Sequence, residues 1–114
     1  MIAWLMGLKT IAPHDLQGKL SQAQALNVID VNSIQSFNKA HVPGARHLDP
    51  ATFAAADLPA DKAVPLVFYC SNPMCRKAPT AARRAKQMGY ADVRVMSAGI
   101  SGWIGDGLPT QGAA

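Results

Sequence analysis

Cysteine, charged residues and long apolar runs are all scarce in this sequence, and each shortage excludes a class of protein. Two cysteines, Cys70 and Cys75, cannot form the framework of a disulfide-rich secreted domain. Charged residues make up only 16% of the chain, unlike a coiled coil or a disordered protein. No stretch approaches the roughly 18 apolar residues of a membrane-spanning helix. The expectation is a cytoplasmic globular protein.

The length of 114 residues fits one compact domain with a single core. Residues 1–8 are apolar, but no basic region precedes them and no clear small-residue cleavage site follows. We therefore interpret them as a terminal segment that packs on the domain or on a partner, and not as a signal peptide. The domain itself is predicted over residues 9–110, with a short tail at 111–114.

The chain is mildly basic, with a net charge of +4 and a pI of about 9.4. Its densest basic stretch directly follows the cysteine pair: Arg76, Lys77, Arg83, Arg84 and Lys86. That position favours a small anionic ligand at least as strongly as a polymer, so no nucleic-acid partner is predicted. We expect the last three of these residues to form either a solvated helix face or a docking surface for an acidic partner or an anionic donor.

Short apolar runs alternate with helical segments, which predicts an α/β fold. Strands are expected near residues 9–11, 27–31, 64–69 and 92–96, with a further brief strand within 41–48. Helices are expected at 13–20, 33–38 and 78–88, and a short one within 99–108. Residues 64–96 form one strand–helix–strand unit, whose two strands should be parallel neighbours or nearly so.

Cys70 ends the apolar strand at 64–69, and a helix begins a few residues later. In open α/β sheets, ligands bind at this edge. The free N–H groups of the loop and of the first helical turn, together with the Arg76 guanidinium, should favour the thiolate. The same groups could hold an oxyanion or the outer sulfur of a persulfide. Cys70 is therefore the predicted nucleophile, and a cysteine that merely packs is the alternative.

Motifs from about residue 10 to residue 109 occur in the order and spacing of the rhodanese-like family. They are VIDV at 28–31, FNKAHVPGA at 37–45, VFYC at 67–70, Arg76, MGY at 88–90, Val93, AGISGW at 98–103 and GLP at 107–109. The sequence resembles this family, which implies a three-layer α/β sandwich with a mainly parallel five-stranded sheet flanked by helices. The resemblance also implies transfer of a sulfane sulfur from thiosulfate or a persulfide to a thiophilic acceptor.

In this interpretation Cys70 carries the sulfur as a persulfide, and Arg76 is the second catalytic residue. The loop around them is expected to bind substrate: Ser71, Asn72, Pro73, Met74, Cys75 and Lys77. The partners would be a small anionic sulfur donor and a thiol acceptor, either of which could also be a protein. Neither a cofactor nor a metal is expected.

Five residues separate Cys70 from Arg76, whereas sulfurtransferases of this family typically have four. The longer loop resembles that of dual-specificity cell-cycle phosphatases and related arsenate reductases of the same fold, whose wider loop fits a tetrahedral oxyanion. However, the loop contains no carboxylate that could act as a general acid, and Tyr69 stands where those enzymes tend to have a histidine. Phosphatase or arsenate reductase activity is therefore the second hypothesis.

Cys75 lies inside the loop, where the family often has a small or polar residue. As a resolving thiol it would attack the Cys70 persulfide, release sulfide and leave a disulfide, which requires Cα atoms within about 7 Å. Alternatively it packs without reacting. A redox sensor built on Cys70 and Cys75 is the non-enzymatic hypothesis.

Structural roles are expected for Asp30, Asn32, Ser36, His41, His47 and Trp103. Asn32 and Ser36 occupy positions at which the family commonly has an arginine and a glutamate. Because both partners of that ion pair are absent together, no buried charge is left unpaired. Trp103 should be a core aromatic residue with its N–H group satisfied.

Overall fold

A computed structural model of the chain describes residues 7–22 and 25–112. The strands are β1 (Lys9–Thr10), β2 (Asn27–Asp30), β3 (Arg46–His47), β4 (Leu66–Tyr69) and β5 (Val93–Val95). The helices are α1 (Pro13–Ser21), α2 (Ile34–Lys39), α3 (Lys77–Gln87) and α4 (Gly99–Gly105), with a short 3-10 helix at Ala55–Asp57 that the sequence did not predict. None of the helices in these ranges has the length and hydrophobicity needed to span a bilayer.

The five strands form one sheet in the order β1-β5-β4-β2-β3, and all four neighbouring pairs are parallel. β4 and β5 are adjacent, which confirms the predicted crossover. After β2 the chain adds β3 on one side of the sheet, whereas after β4 it adds β5 on the opposite side. The direction in which strands are added therefore reverses between β2 and β4. Ligands of open α/β sheets bind beyond the carboxyl ends of the strands at such a reversal. Cys70 follows β4 at this point.

Both faces of the sheet are covered, as expected for a parallel sheet, and this confirms the three-layer α/β prediction. Successive side chains of β4 point to opposite faces. Leu66 and Phe68 pack with four buried alanines of α3: Ala78, Ala81, Ala82 and Ala85. Val67 and Tyr69 pack on the other face, with Leu16 of α1 and Trp103 of α4.

Several local predictions are confirmed by hydrogen bonds. Ser33 caps α2, because its Oγ accepts the Ser36 N–H at 3.2 Å. The Nδ1 of His41 bonds to the Phe37 carbonyl at 2.7 Å, and the two rings stack with centroids 3.9 Å apart. Trp103 is fully buried, and its Nε1–H donates to the Pro109 carbonyl at 2.7 Å.

The predicted domain limits, 9–110, remain a prediction, but the residue just outside each limit contacts the domain. Leu8 is buried in the core. Gln111 exchanges two backbone hydrogen bonds with His41, at 2.8 and 2.9 Å. Residues 1–6 of the predicted apolar segment lie outside the described residues.

Arg84 corrects the prediction of a solvated or docking face on α3. Its guanidinium donates to the Pro50 carbonyl at 2.8 Å and to the Phe53 carbonyl at 2.7 Å. It also lies over the Phe53 ring, 4.2 Å from the centroid. Arg84 thus fastens the segment between β3 and β4 to α3, whereas Arg83 is exposed.

The contacts of Arg84 predict that alanine substitutions at Arg83 and Arg84 change the free energy of unfolding by different amounts. Arg84→Ala should lower the free energy of unfolding by about 1.5–3 kcal/mol, because it removes a charged donor to two backbone carbonyls. Arg83→Ala is the matched control and should change it by less than about 0.5 kcal/mol. Urea unfolding followed by circular dichroism measures both. Equal effects of the two substitutions would contradict the assigned role of Arg84.

Candidate active site

The cysteine loop, residues 70–76, connects β4 to α3 and contains a tight turn. The Cys75 N–H donates to the Asn72 carbonyl at 3.1 Å, and the Met74 N–H donates to Asn72 Oδ1 at 2.9 Å. Asparagine at the first turn position and proline at the second are both favoured in such turns. The Asn72 side chain therefore shapes the loop, and its predicted contact with substrate remains a prediction.

Helix α4 fixes the start of the loop. The Ile100 N–H donates to the Cys70 carbonyl at 2.9 Å, and the Ser101 N–H donates to the Ser71 carbonyl at 3.0 Å. Because a trans peptide is planar, its C=O and N–H point in opposite directions. The Ser71 N–H, which shares a peptide with the Cys70 carbonyl, therefore points away from α4. It donates to the sulfurs of both Cys70 and Cys75.

Gly99 permits this close approach of α4. Its φ is +65°, a conformation that residues with a side chain rarely adopt. A Cβ at this position would lie 2.5 Å from the Ser71 carbonyl carbon and 2.6 Å from the Asn72 nitrogen. The sequence drew attention to residues 98–103 only as part of the family pattern and did not predict this contact.

A side-chain network joins the loop to the end of β2. Ser71 Oγ donates to Asn32 Oδ1 at 2.7 Å, and the Asn32 N–H donates to Asp30 Oδ1 at 2.8 Å. His47 Nε2 donates to the Asn32 carbonyl at 2.7 Å. Asp30 is fully buried, and burial raises the pKa of its carboxyl group. Asp30 and His47 thus have structural partners, as expected, and Asn32 additionally positions Ser71.

The two thiols share one set of donors at the amino end of α3. Cys70 is 3% exposed and Cys75 is half-buried, and both are reduced. The first N–H groups of a helix have no partner within the helix. Here the Ala78 N–H donates to Cys70 and the Lys77 N–H donates to Cys75. The Cys70 thiol also forms a hydrogen bond with Cys75.

These contacts decide which thiol ionises first. Burial raises the pKa of Cys70 to about 12, and the hydrogen bond to Cys75 adds to the effect, while the N–H groups of Ala78 and Ser71 oppose it. Burial also raises the pKa of Cys75, but the Cys70 S–H, the backbone N–H groups and the Lys77 charge outweigh it and bring that pKa below its ordinary value. Burial thus opposes the thiolate that the sequence predicts at Cys70, and of the two thiols Cys75 has the lower pKa.

A narrow pocket opens at the two sulfurs. Besides the cysteines it is lined by Asn72, Pro73, Ala78, Pro79, Val95, Met96 and Ser97. The Ser97 Oγ is buried and has no hydrogen-bond partner among the described residues. No signal in the sequence identified Ser97.

The remaining predicted site residues lie at the rim. Arg76 and Lys77 are exposed, and together with Pro50, Ala51 and Thr80 they line a shallow groove outside the loop. Within residues 7–22 and 25–112, the Arg76 guanidinium has no hydrogen bond or ion pair. Pro73 is exposed, and Met74 is 82% exposed. The structure thus brings Cys70, Ser71 and Cys75 together and leaves the Arg76 side chain outside, so a catalytic role for Arg76 remains a prediction.

The thiol pair predicts a specific titration, which thiolate absorbance near 240 nm would record. In the wild type, Cys75 should ionise below the ordinary cysteine pKa and Cys70 far above it. Cys70→Ser should raise the pKa of Cys75, because the S–H donor is lost. Cys75→Ser should remove the lower transition and bring the pKa of Cys70 down from about 12, because a neighbouring anion is lost. A low transition that persists in Cys75→Ser would contradict the assignment.

Gly99→Ala should damage both the fold and the site. The positive φ alone costs about 1–3 kcal/mol, and the clash with Ser71 would displace the N–H that both sulfurs share. We expect reduced stability in urea and a higher pKa of Cys75. Gly105→Ala, in the same helix and with open space around the added methyl, is the control and should change neither. An unchanged thiol titration in Gly99→Ala would show that α4 does not position the loop.

Comparisons with known proteins agree with this architecture. A family model described as "Rhodanese-like domain" matches residues 12–106. The thiosulfate sulfurtransferase GlpE of Pseudomonas aeruginosa is 31% identical over 93 residues, which cover 82% of this chain and 81% of that protein. The BH2092 protein of Bacillus halodurans has the same fold, with a TM-score of 0.84 at 22% identity, over 91% of this chain and 77% of that one.

The solution structure of the rhodanese-like domain of the Alr3790 protein from Anabaena also has this fold. Its TM-score is 0.79 at 21% identity, covering 91% of this chain and 79% of that one. The family match spans most of the described sheet and its helices, including the whole cysteine loop. The chain therefore belongs to the rhodanese-like domain family.

Proposed function

We propose that this domain is a sulfurtransferase that carries a sulfane sulfur as a persulfide on Cys70. The observation that carries the proposal is the position of Cys70 at the carboxyl end of the central strand, with the N–H groups of Ser71 and Ala78 directed at its sulfur. Such donors stabilise negative charge where it develops. The relative in Pseudomonas aeruginosa that is named a thiosulfate sulfurtransferase supports the same reaction class.

The reaction has two half-reactions. In the first, a cysteine thiolate bonds to the outer sulfur of thiosulfate, the S–S bond of the donor breaks, and sulfite leaves with the electron pair. The transferred sulfur is then held as a persulfide on Cys70. In the second, an acceptor thiolate attacks the outer sulfur, the Cys70 S–S bond breaks, and the Cys70 thiolate is regenerated. Neither step needs a metal or an organic cofactor.

The positive charge beside the loop and the burial of Cys70 both fit sulfur transfer. Arg76 and Lys77 are exposed beside the loop, where they can attract a small anionic donor from solvent. The persulfide itself would form at a sulfur that is 3% exposed, which protects it from unrelated thiols. The acceptor must therefore be a small molecule or a protein thiol on an exposed, extended segment.

Phosphatase and arsenate reductase chemistry fits the loop less well. Binding a tetrahedral oxyanion requires many inward N–H groups, but those of Met74 and Cys75 are bound within the turn, and Pro73 has none. The Cys75 sulfur also bonds to Cys70. The second candidate is instead a redox sensor, which is favoured by the hydrogen bond between the two thiols, because adjacent thiols can form a reversible disulfide.

The test combines turnover with mapping of the bound sulfur. After incubation with thiosulfate and removal of the donor, the wild type should carry one extra sulfur on Cys70. It should also turn over thiosulfate with cyanide as the acceptor. Cys70→Ser should lower that turnover at least about 10-fold, because the Cys70 persulfide is lost and Cys75 loses the S–H donor that lowers its pKa.

Full turnover by Cys70→Ser would refute the proposal. A wild-type chain that takes up no sulfur, but forms a Cys70–Cys75 disulfide under mild oxidation, would support the redox sensor instead.

A further inference from the structure

The two sulfurs differ in their access to solvent. Both line the same pocket, together with Pro73 and Pro79. Cys75 is half-buried, whereas Cys70 is only 3% exposed. A donor that enters from solvent therefore reaches the Cys75 sulfur first.

The donors at the amino end of α3 favour ionisation of the more exposed thiol, Cys75. The Cys70 S–H bonds to Cys75, and the N–H groups of Lys77 and Ser71 also donate to Cys75. Three hydrogen-bond donors and the charge of Lys77 thus converge on one sulfur. A thiolate is the effective nucleophile toward a sulfane sulfur, and these donors lower the pKa of Cys75, the more exposed of the two thiols.

We propose that the sulfane sulfur enters at Cys75 and is then passed to Cys70, so that Cys75 is a second catalytic residue of a two-thiol relay. This inference rests on the proposed sulfurtransferase function and specifies its route.

The relay has two balanced steps. The Cys75 thiolate bonds to the outer sulfur of thiosulfate, and sulfite leaves with the electron pair of the donor S–S bond. Cys70 then gives its proton to the new Cys75 persulfide, and the Cys70 thiolate attacks the outer sulfur. The S–S bond at Cys75 breaks, and Cys75 leaves as a thiolate. The products are a Cys70 persulfide and the original Cys75 anion, with no oxidant or reductant consumed.

The Ser71 N–H group supports transfer of the sulfur from Cys75 to Cys70. The Ser71 N–H donates to both sulfurs, so negative charge that passes from one to the other stays beside the same group. The Ala78 N–H donates to Cys70 and is available to the persulfide there. The hydrogen bond between the thiols also supplies the path for the proton that Cys70 must lose.

Rapid-quench mapping tests the relay. Wild type, Cys70→Ser and Cys75→Ser are mixed with thiosulfate at pH 7, and an alkylating agent that traps persulfides stops the reaction at successive times. Trypsin cleavage after Lys62 and Arg76 releases both cysteines in one peptide, residues 63–76, and fragment masses locate the added sulfur. The same series with a persulfide donor controls for the choice of donor.

In the wild type, label should appear on Cys75 before Cys70. Cys70→Ser should accumulate it on Cys75. Cys75→Ser should load Cys70 at least about 10-fold more slowly at pH 7 and approach the wild-type rate as pH rises, because the thiolate fraction of a high-pKa cysteine increases about tenfold per pH unit.

Three results would overturn the relay. Loading of Cys75→Ser at the wild-type rate, with no label on Cys70→Ser, would leave the sulfurtransferase function standing with Cys70 as the sole nucleophile. If a Cys70–Cys75 disulfide forms and sulfide is released, and no Cys70 persulfide remains, then one of the two cysteines acts as a resolving thiol. No loading of the wild type by either donor would refute the proposed function itself.

Discussion

Two hydrogen bonds from the amino end of α4 hold the cysteine loop, one from Ile100 to the Cys70 carbonyl and one from Ser101 to the Ser71 carbonyl. Because each peptide is planar, a carbonyl fixed on the α4 side places the N–H of the same peptide on the side of the sulfurs. These bonds need a backbone approach that only glycine permits at position 99. The donors, the thiol pair and the pocket all depend on this contact.

Burial and hydrogen bonding act in opposite directions on the two sulfurs. Cys70 is enclosed between β4 and α3, and the loss of solvent outweighs its two N–H donors, so its pKa rises. Cys75 is closer to solvent and accepts a hydrogen bond from the Cys70 S–H, so its pKa falls. The site therefore pairs a more exposed thiol of lower pKa, Cys75, with a buried thiol of higher pKa, Cys70, which suits the proposed capture and storage of a sulfur atom.

Local patterns in the sequence predicted much of the fold. The apolar run at 64–69 predicted the buried strand that carries Cys70, and Ser33 predicted the start of α2. The position of Arg84 against Pro50 and Phe53 was not predictable, because it depends on a segment more than thirty residues away. The same holds for Gly99, whose contact with Ser71 joins two separate loops. The pKa of Cys70 depends on how deeply its sulfur is buried and on the direction of its S–H hydrogen bond to Cys75. Neither can be derived from a sequence pattern.

The central claim is that Cys70 stores the sulfur within the N–H groups of Ser71 and Ala78. A crystal structure of the protein soaked in thiosulfate tests it most directly. The account predicts one additional sulfur bonded to Cys70 Sγ, within hydrogen-bonding distance of at least one of these N–H groups, with Cys75 unmodified. An unmodified Cys70 beside a tetrahedral anion in the loop, or a Cys70–Cys75 disulfide, would contradict it.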